Sequence, residues 1–383
     1  MKANGSSTVL LTVGRLPVAL EIARGFTEAG WRVVVAETSG LHLCRVSRAV
    51  ARTIRVPGPQ HDPAGFREAL RSIVRQEHVA LIVPVSEETP HVAKHLNAEL
   101  GGTRVFCADS RHVLRLHDKL AFNRLAGDLD LTVPKSWPAD AAHEAAASGD
   151  ALVAKPRFGC SGRGIRYYRQ GETPVAGPGD LIQSRVDGDL ISTCGVCWDG
   201  RLLCNAIYRA RVVSGSVAVA FERVDDAAGI DDWVRRFAGE TKHTGFLAFD
   251  FILDAQGTPQ AIECNPRATS GIHFFASGVL ASLIGNPGDA GMPAEQTFRP
   301  DRRLTEAYSC YTALLAALPD TREAGRILSE LRAARDVTWR RDDPWPFLSM
   351  TINSWPIIRR SLRTQRPFAE VAMEDIEWRE SYD

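Results

Sequence analysis

The sequence predicts an α/β front domain followed by an α+β body, and three observations carry that reading. Apolar strand-like runs alternate with helical patterns over the first ~110 residues. A glycine-rich loop, RFGCSGRGI, follows a strand in the middle of the chain. Two apolar β-runs joined by a short turn make up FLAFDFILDAQGTPQAIECNPR. Strands that alternate with helices imply a parallel sheet covered on both faces.

In order, Ser7 to Val13 reads as a buried strand, and the stretch from Leu16 as a helix ending at Gly30. Trp31 to Glu37 is a second strand, Phe66 to Gln76 a helix, Ala80 to Val85 a strand and Thr89 to Leu100 a helix. Arg104 to Ala108 is a fourth strand. The first turn, VGRLPVAL, lacks G-x-G-x-x-G, and Glu37 after the second strand does not by itself make a dinucleotide site. From 111 the texture changes: a helix in HDKLAFNRLA, a linker VPKSWP, a strand Leu152 to Pro156, the glycine loop, and a strand pair around Asp199-Gly200. A second pair of β-runs turns at Asp254 to Thr258. The expected units are therefore 1–110, 111–285 and 286–383, the last mixing helix with a Trp/Pro-rich, Arg-rich stretch.

Composition narrows the classes. A chain of 383 residues holds two or three domains at about 150 residues each. The 46 Lys+Arg balance 46 Asp+Glu, so the formal charge is zero and no nucleic-acid partner is expected. No apolar run approaches the ~18 residues of a membrane span, so no membrane partner is expected. The N-terminal stretch has no long leader-type apolar run, and cytoplasm is the default compartment. Eight cysteines spread this thinly make no disulfide framework. Cys194 and Cys197, with Cys204 nearby, lack a second pair at zinc spacing and read as buried strand thiols.

Two stretches carry chemistry. Phe158 to Ile165 has three glycines and a serine, too costly in backbone entropy for strand or helix. Such a loop turns backbone N–H groups toward an anion. Lys155 on the preceding strand and Arg163 inside the loop suit a polyphosphate, although the P-loop pattern is absent. Next, Glu263 and Asn265 are two apart and share a sheet face, and a hairpin folds Asp250 back beside them. Asp250 interrupts an otherwise buried run, so it needs a partner or a metal. Two carboxylates and an amide oxygen suit Mg²⁺.

With these residues in place, the chain resembles the ATP-grasp superfamily, in its carboxylate–amine ligase and carbamoyl-phosphate-synthase-like branch. Lys119 in LHDKLAFNRL is similar to the family's first nucleotide lysine and Lys155 in LVAKP to the second. FGCSGRGI resembles its phosphate flap, IQSRVDG (182–188) its adenine hinge, and DF…IECNPR its metal strands, 246–267. IVPVSEE (82–88) resembles the domain that precedes ATP-grasp in that branch. The resemblance implies a pre-ATP-grasp domain, an ATP-grasp fold of two α+β subdomains and a C-terminal subdomain.

The resemblance also implies roles. ATP would be held by Lys119, Lys155, the flap residues Gly159, Ser161, Gly162 and Gly164, and the hinge residues Gln183, Ser184, Val186 and Asp189. Two Mg²⁺ ions, or Mn²⁺, would sit on Asp250, Glu263 and Asn265. Arg209, Arg211 and Arg267 would stabilise the reacting phosphate. Ser270 and Gly271 would border the acyl substrate, and Glu87 and Glu88 an amine. The implied reaction converts a small carboxylic acid to an acyl phosphate with release of ADP, then couples it to an amine. Bicarbonate activation of the carbamoyl-phosphate or carboxylase type and a non-catalytic nucleotide-binding protein are the alternatives. A homodimer is also implied. His117, His243 and His273 stand where they could line the cleft, but no histidine spacing supports a metal.

Overall fold

Five parallel strands build the front domain: β1 (Thr8–Leu11), β2 (Arg32–Glu37), β3 (Arg52–Arg55), β4 (Val79–Val83) and β5 (Arg104–Val105), in the order β3-β2-β1-β4-β5. The computed structural model describes residues 7–96, 100, 102–159, 164–214, 217–225, 229–286 and 297–378. All four residues of β1 are buried because helices cover both faces of the sheet. Helices α1 (Pro17–Glu28), α2 (Pro63–Glu77) and α3 (Thr89–Leu96) start and stop for local reasons. Pro17 and Pro63 fill first-turn positions where no N–H is needed, and Asp62 caps α2 by accepting from Gly65 N at 2.8 Å. Strand β3 has no counterpart in the sequence reading. Its residues RTIR include a single apolar side chain, Ile54, at the sheet edge, too little hydrophobicity to stand out.

Helices α4 (Ser110–His117) and α5 (Lys119–Asp128) lead into a small sheet. Its strands are β6 (Ser136–Pro138), β7 (Leu152–Pro156), β8 (Arg166–Tyr168) and β9 (Asp180–Ser184), ordered β6-β9-β7-β8. Helix α6 (Ala142–Ala147) covers one face through Ala145 against Leu152, Ala154 and Ile182. The chain then crosses to a larger sheet of seven strands. Here β10 (Asp189–Trp198) and β11 (Arg201–Ser214) form the expected pair, with Asp199 and Gly200 both at positive φ. Strand β12 (Val217–Arg223) follows, then helix α7 (Ile230–Thr241), β13 (Gly245–Leu253) and β14 (Pro259–Asn265). Trp233 and Phe237 of α7 pack on Phe249 and Phe251, ring centroids 5.0 to 5.2 Å apart for three of the pairs, and fix one face of the sheet. The β13–β14 turn forms as its sequence predicts, Asp254 Oδ1 accepting from Gln256 N and Thr258 N.

The C-terminal quarter divides between two parts of the fold. After α8 (Val279–Gly285), β15 (Arg303–Thr305) and β16 (Arg335–Asp336) join the large sheet. Helices α9 (Ala307–Ala317) and α10 (Thr321–Ala333) cover that edge through Cys310, Ala313 and Ile327. Residues 337–378, with α11 (Trp345–Leu348), α12 (Met350–Thr364) and α13 (Phe368–Met373), instead return to the front domain. Ion pairs hold them there, Arg340 with Glu28 at 2.7 Å among them. Arg24, 2% exposed, is paired with Asp343 at 3.0 Å. Arg15 is paired with both Glu37 and Asp375 and donates to Ala372 O at 3.0 Å. Glu37, the one acidic residue placed as in a dinucleotide site, is thus occupied by the chain's own arginine. Among the described residues no helix is long and apolar enough to cross a membrane. Seven described cysteines are buried and free, as expected for Cys194, Cys197 and Cys204.

Asp343 also accepts from Ser47 Oγ at 2.6 Å and Arg48 N at 3.0 Å. Asp343→Ala therefore strands a buried guanidinium. Urea unfolding followed by circular dichroism should show a loss of about 3–5 kcal/mol. A loss below 1 kcal/mol would show that the C-terminal arm is not clamped here.

Candidate active site

Helix α5 begins where Asp118 caps it, accepting from Leu120 N at 3.0 Å, and the next residue, Lys119, is the first of the helix. Asp118 is also ion-paired with Arg157, which fixes the strand end that carries the glycine loop. Lys119 is 6% exposed, and its Nζ donates to Gly159 O at 2.8 Å and lies 3.5 Å from Glu263 Oε1. Lys155, on β7 of the small sheet, donates from Nζ to Ile262 O of the large sheet at 3.0 Å. Burial lowers its pKa to about 8, although Glu263 pulls the other way.

On the large sheet, Asp250 faces Glu263 and Ala248 faces Asn265 across the β13–β14 ladder. The register brings together the three oxygen donors that spacing had placed on one face. Burial and the Glu263 charge raise Asp250 to about 6. One hydrogen bond, from Ser192 Oγ at 2.6 Å, offsets part of that cost. Arg267 Nη2 donates to Asn265 Oδ1 at 3.3 Å, and its Nε lies 2.7 Å from Glu87 Oε1 of the front domain. Burial of Glu87 works to raise its pKa, but Arg267, His117 and Lys119 outweigh it and hold the carboxyl below its ordinary range. The front domain, the small sheet and the large sheet each supply part of one cluster. Among the described residues no three His, Cys, Asp or Glu side chains converge on a metal position. The available set is two carboxylates and an amide oxygen, which fits a hard cation that takes its other ligands from an anion and water.

Other predicted residues fall in different places. Gly159 and Gly164 both adopt positive φ, 108° and 73°, which is why glycine stands at each end of the loop. Ser161 and Gly162 lie outside the described residues, as do Cys160 and Arg163. Gln183 is buried and donates from Nε2 to Ser136 Oγ at 3.0 Å, and Ser184 Oγ donates to Asp150 Oδ2 at 2.8 Å. Val186 is half-buried in the crossing between the two sheets, and Asp189 is exposed at the start of β10. Ser270 is half-buried at the start of a 3₁₀ turn.

Four assignments need correction. Tyr208, not Arg209, is aligned with Ser192 and hence shares the Asp250 face, so Arg209 projects from the opposite side. It is ion-paired with Glu222 at 2.8 Å. A bulge between Ala210 and Val212 breaks the alternation, and Arg211 pairs with Glu330 at 2.7 Å. Glu88 accepts from Thr12 Oγ1, Val85 N and Ser86 N at 2.6 to 3.0 Å and is fully buried, so it ties the front-domain loop together and does not face a substrate amine. Gly271 is buried against Cys194 and Tyr208; a Cβ there would sit 2.5 Å from Cys194 Cβ, which makes it a packing glycine and not a substrate wall. His243 and His273 are likewise core residues, bound to Phe246 O and Glu21. His117 alone of the three histidines lies by the cluster, and its buried Nε2 has no hydrogen-bond partner among the described residues.

Sequence reasoning passed over Ser192, Tyr208 and Thr269. Tyr208 Oη donates to Thr269 Oγ1 at 3.2 Å, bracing the strand end that carries Arg267. Only long-range register aligns Ser192 with Asp250, so no local signal marks it.

Residues 116–271 match the family model described as an ATP-grasp domain. Over 243 residues the chain is 26% identical to the carbamoyl phosphate synthase large chain of Deinococcus radiodurans, covering 57% of this chain and 23% of that protein. The chain thus spans about a quarter of the length of this relative. A solved Hydrogenobacter thermophilus 2-oxoglutarate carboxylase biotin carboxylase domain, in complex with MgADP and bicarbonate, superposes with a TM-score of 0.60. That match has 15% identity over 77% of this chain and 73% of the other. An L-amino acid ligase from Bacillus licheniformis gives 0.58 at 14% identity, covering 79% of both chains. At these identities the structural likeness establishes the fold.

Two outcomes check the site's energetics. Native Asp250 binds its proton more tightly than the unfolded chain does, so its ionisation costs folding stability as pH rises from about 4 to about 6. Asp250→Asn should therefore unfold later than the parent at pH 7.5 with chelator, by about 1–3 kcal/mol, with the gain vanishing below pH 4. A variant less stable than the parent at both pH values would contradict the raised pKa. Gly271→Ala should lower the urea midpoint by the equivalent of about 1–3 kcal/mol through overpacking; an unchanged midpoint would remove the packing role.

Proposed function

From the match of residues 116–271 to the ATP-grasp domain model, we propose that the protein is an ATP-dependent, ADP-forming ligase that activates a small carboxylic acid as an acyl phosphate and joins it to an amine. The observation that carries this reading is the convergence of Lys119, Lys155 and Arg267 on the facing pair Asp250–Glu263. That is a positive cradle around an oxygen-donor pair, assembled from three structural units.

In this reading Lys119 and Lys155 exchange their carbonyl partners, Gly159 O and Ile262 O, for phosphate oxygens. Asp250, Glu263 and Asn265 hold magnesium, which supplies neutralisation of phosphate charge. Arg267, held at Glu87, is oriented toward the reacting carboxylate or the transferred phosphoryl group. Phosphoryl transfer asks little covalent help of the protein, so positioning and charge neutralisation carry the rate. Gly159 and Gly164, both at positive φ, stand on the side of the site where the phosphates would lie, and excluding water there would protect an acyl phosphate. Gln183, Ser184, Val186 and Asp189 lie along the crossing from the small to the large sheet and border the nucleoside.

Bicarbonate as the acid is the second reading. It is favoured by the likeness to a carbamoyl phosphate synthase large chain and to a biotin carboxylase domain solved with bicarbonate.

Incubation with Mg·ATP and a panel of acids and amines, followed by ADP and phosphate assay, separates these readings. Stimulation by an acid–amine pair supports the ligase, and stimulation by bicarbonate alone supports the second reading. AMP as product would refute acyl-phosphate chemistry. Glu263→Gln should lower turnover by about 10²–10³-fold with an unchanged circular dichroism spectrum; full activity would remove the metal role.

A further inference from the structure

The exposed apolar surface is concentrated in one place. Of the fourteen large hydrophobic side chains exposed among the described residues, seven lie between Trp339 and Phe368. The strongest run is on α12 and its approach: Leu348 is 61% exposed, Ile352 64%, Trp355 53% and Leu362 71%. Within α12, Ile352, Trp355, Arg359, Leu362 and Arg363 recur at helical spacing, all within an arc of about 100°. The opposite side holds the buried Met350 and Asn353. The helix is therefore anchored on one side and presents an apolar stripe with arginines on the other.

The charge on that face is unmatched. Arg360 and Arg366 are paired with Glu374, and Arg340 with Glu28. Arg341, Arg359 and Arg363 are exposed and have no ion-pair partner among the described residues. From Met350 to Arg366 there are four arginines and no Asp or Glu. A two-fold contact between copies of this face would set Arg359 and Arg363 against their own counterparts, a like-charge arrangement that costs affinity. An anionic surface with an apolar interior answers both features at once. Trp and Leu enter the boundary, while the arginine heads stay at the charged layer.

We propose that the α11–α12 face is a membrane-surface docking site that lies on bilayers containing anionic lipid. The earlier expectation of no membrane partner rested on the absence of a spanning run, and surface docking needs none. The reading is independent of the ligase assignment.

The test is flotation of the full chain with phosphatidylcholine vesicles and with phosphatidylcholine vesicles containing phosphatidylglycerol. The expected result is co-flotation with the anionic vesicles alone, reduced at high salt by screening. The double variants Ile352→Ser/Trp355→Ser and Arg359→Gln/Arg363→Gln should each weaken binding about tenfold or more. Both alter exposed side chains, so the thermal unfolding midpoint should not move. No flotation, or equal flotation with both compositions, would overturn the proposal. So would a dimer in light scattering that Trp355→Ser converts to monomer, which would make the face a protein interface.

Discussion

Two carboxylates that face each other across a β-ladder cannot both remain charged in a part-buried sheet without positive charge brought to them. Asp250 and Glu263 impose that constraint, and much of the surrounding architecture answers it. Lys119 arrives from the first position of a helix capped by Asp118, and Lys155 from a strand of a different sheet. Arg267 stands two residues beyond Asn265 and is anchored by Glu87 of the front domain. Each cation is already held by a carbonyl or a carboxylate, so the cluster is organised before any ligand arrives. The cost is a carboxyl raised to about 6 and a lysine lowered to about 8. Perturbed groups of this kind gather where a protein does chemistry.

The front domain shows how a parallel sheet can be used without its customary ligand. At the carboxyl end of β2, where a dinucleotide-binding sheet carries its ribose-binding acid, Glu37 is taken up with Arg15 and Asp375 in an internal ion-pair network. The domain acts as a support. Glu87 positions Arg267, Glu88 locks the loop that bears Glu87, and the C-terminal arm is clamped through Arg24 and Asp343. The arm in turn carries the apolar, arginine-bearing face of α12 to the surface.

The β13–β14 hairpin was legible because its turn, its alternation and its three oxygen donors lie within sixteen residues of one another. The strand pair at Asp199-Gly200 and the burial of the cysteines were legible for the same reason. Arg209 and Arg211 were misread because the register of β11 against β10 decides which of its side chains share the Asp250 face, and local spacing does not carry that register. Glu88 and Gly271 looked available because their partners, Thr12 and Cys194, are 76 and 77 positions away. Strand β3 was invisible because an edge strand can be mostly polar.

By itself the sequence determined most of the elements, a glycine-rich loop, and the residues able to serve as cations and oxygen donors, since these follow from propensity, alternation and side-chain chemistry over short spans. Only the tertiary structure decided which of them meet. It aligned Ser192 with Asp250, brought Glu87 to Arg267 and divided the C-terminal quarter between the large sheet and the front domain. Those choices depend on register and on ion pairs between distant segments, whose energy exists only once the chain has folded.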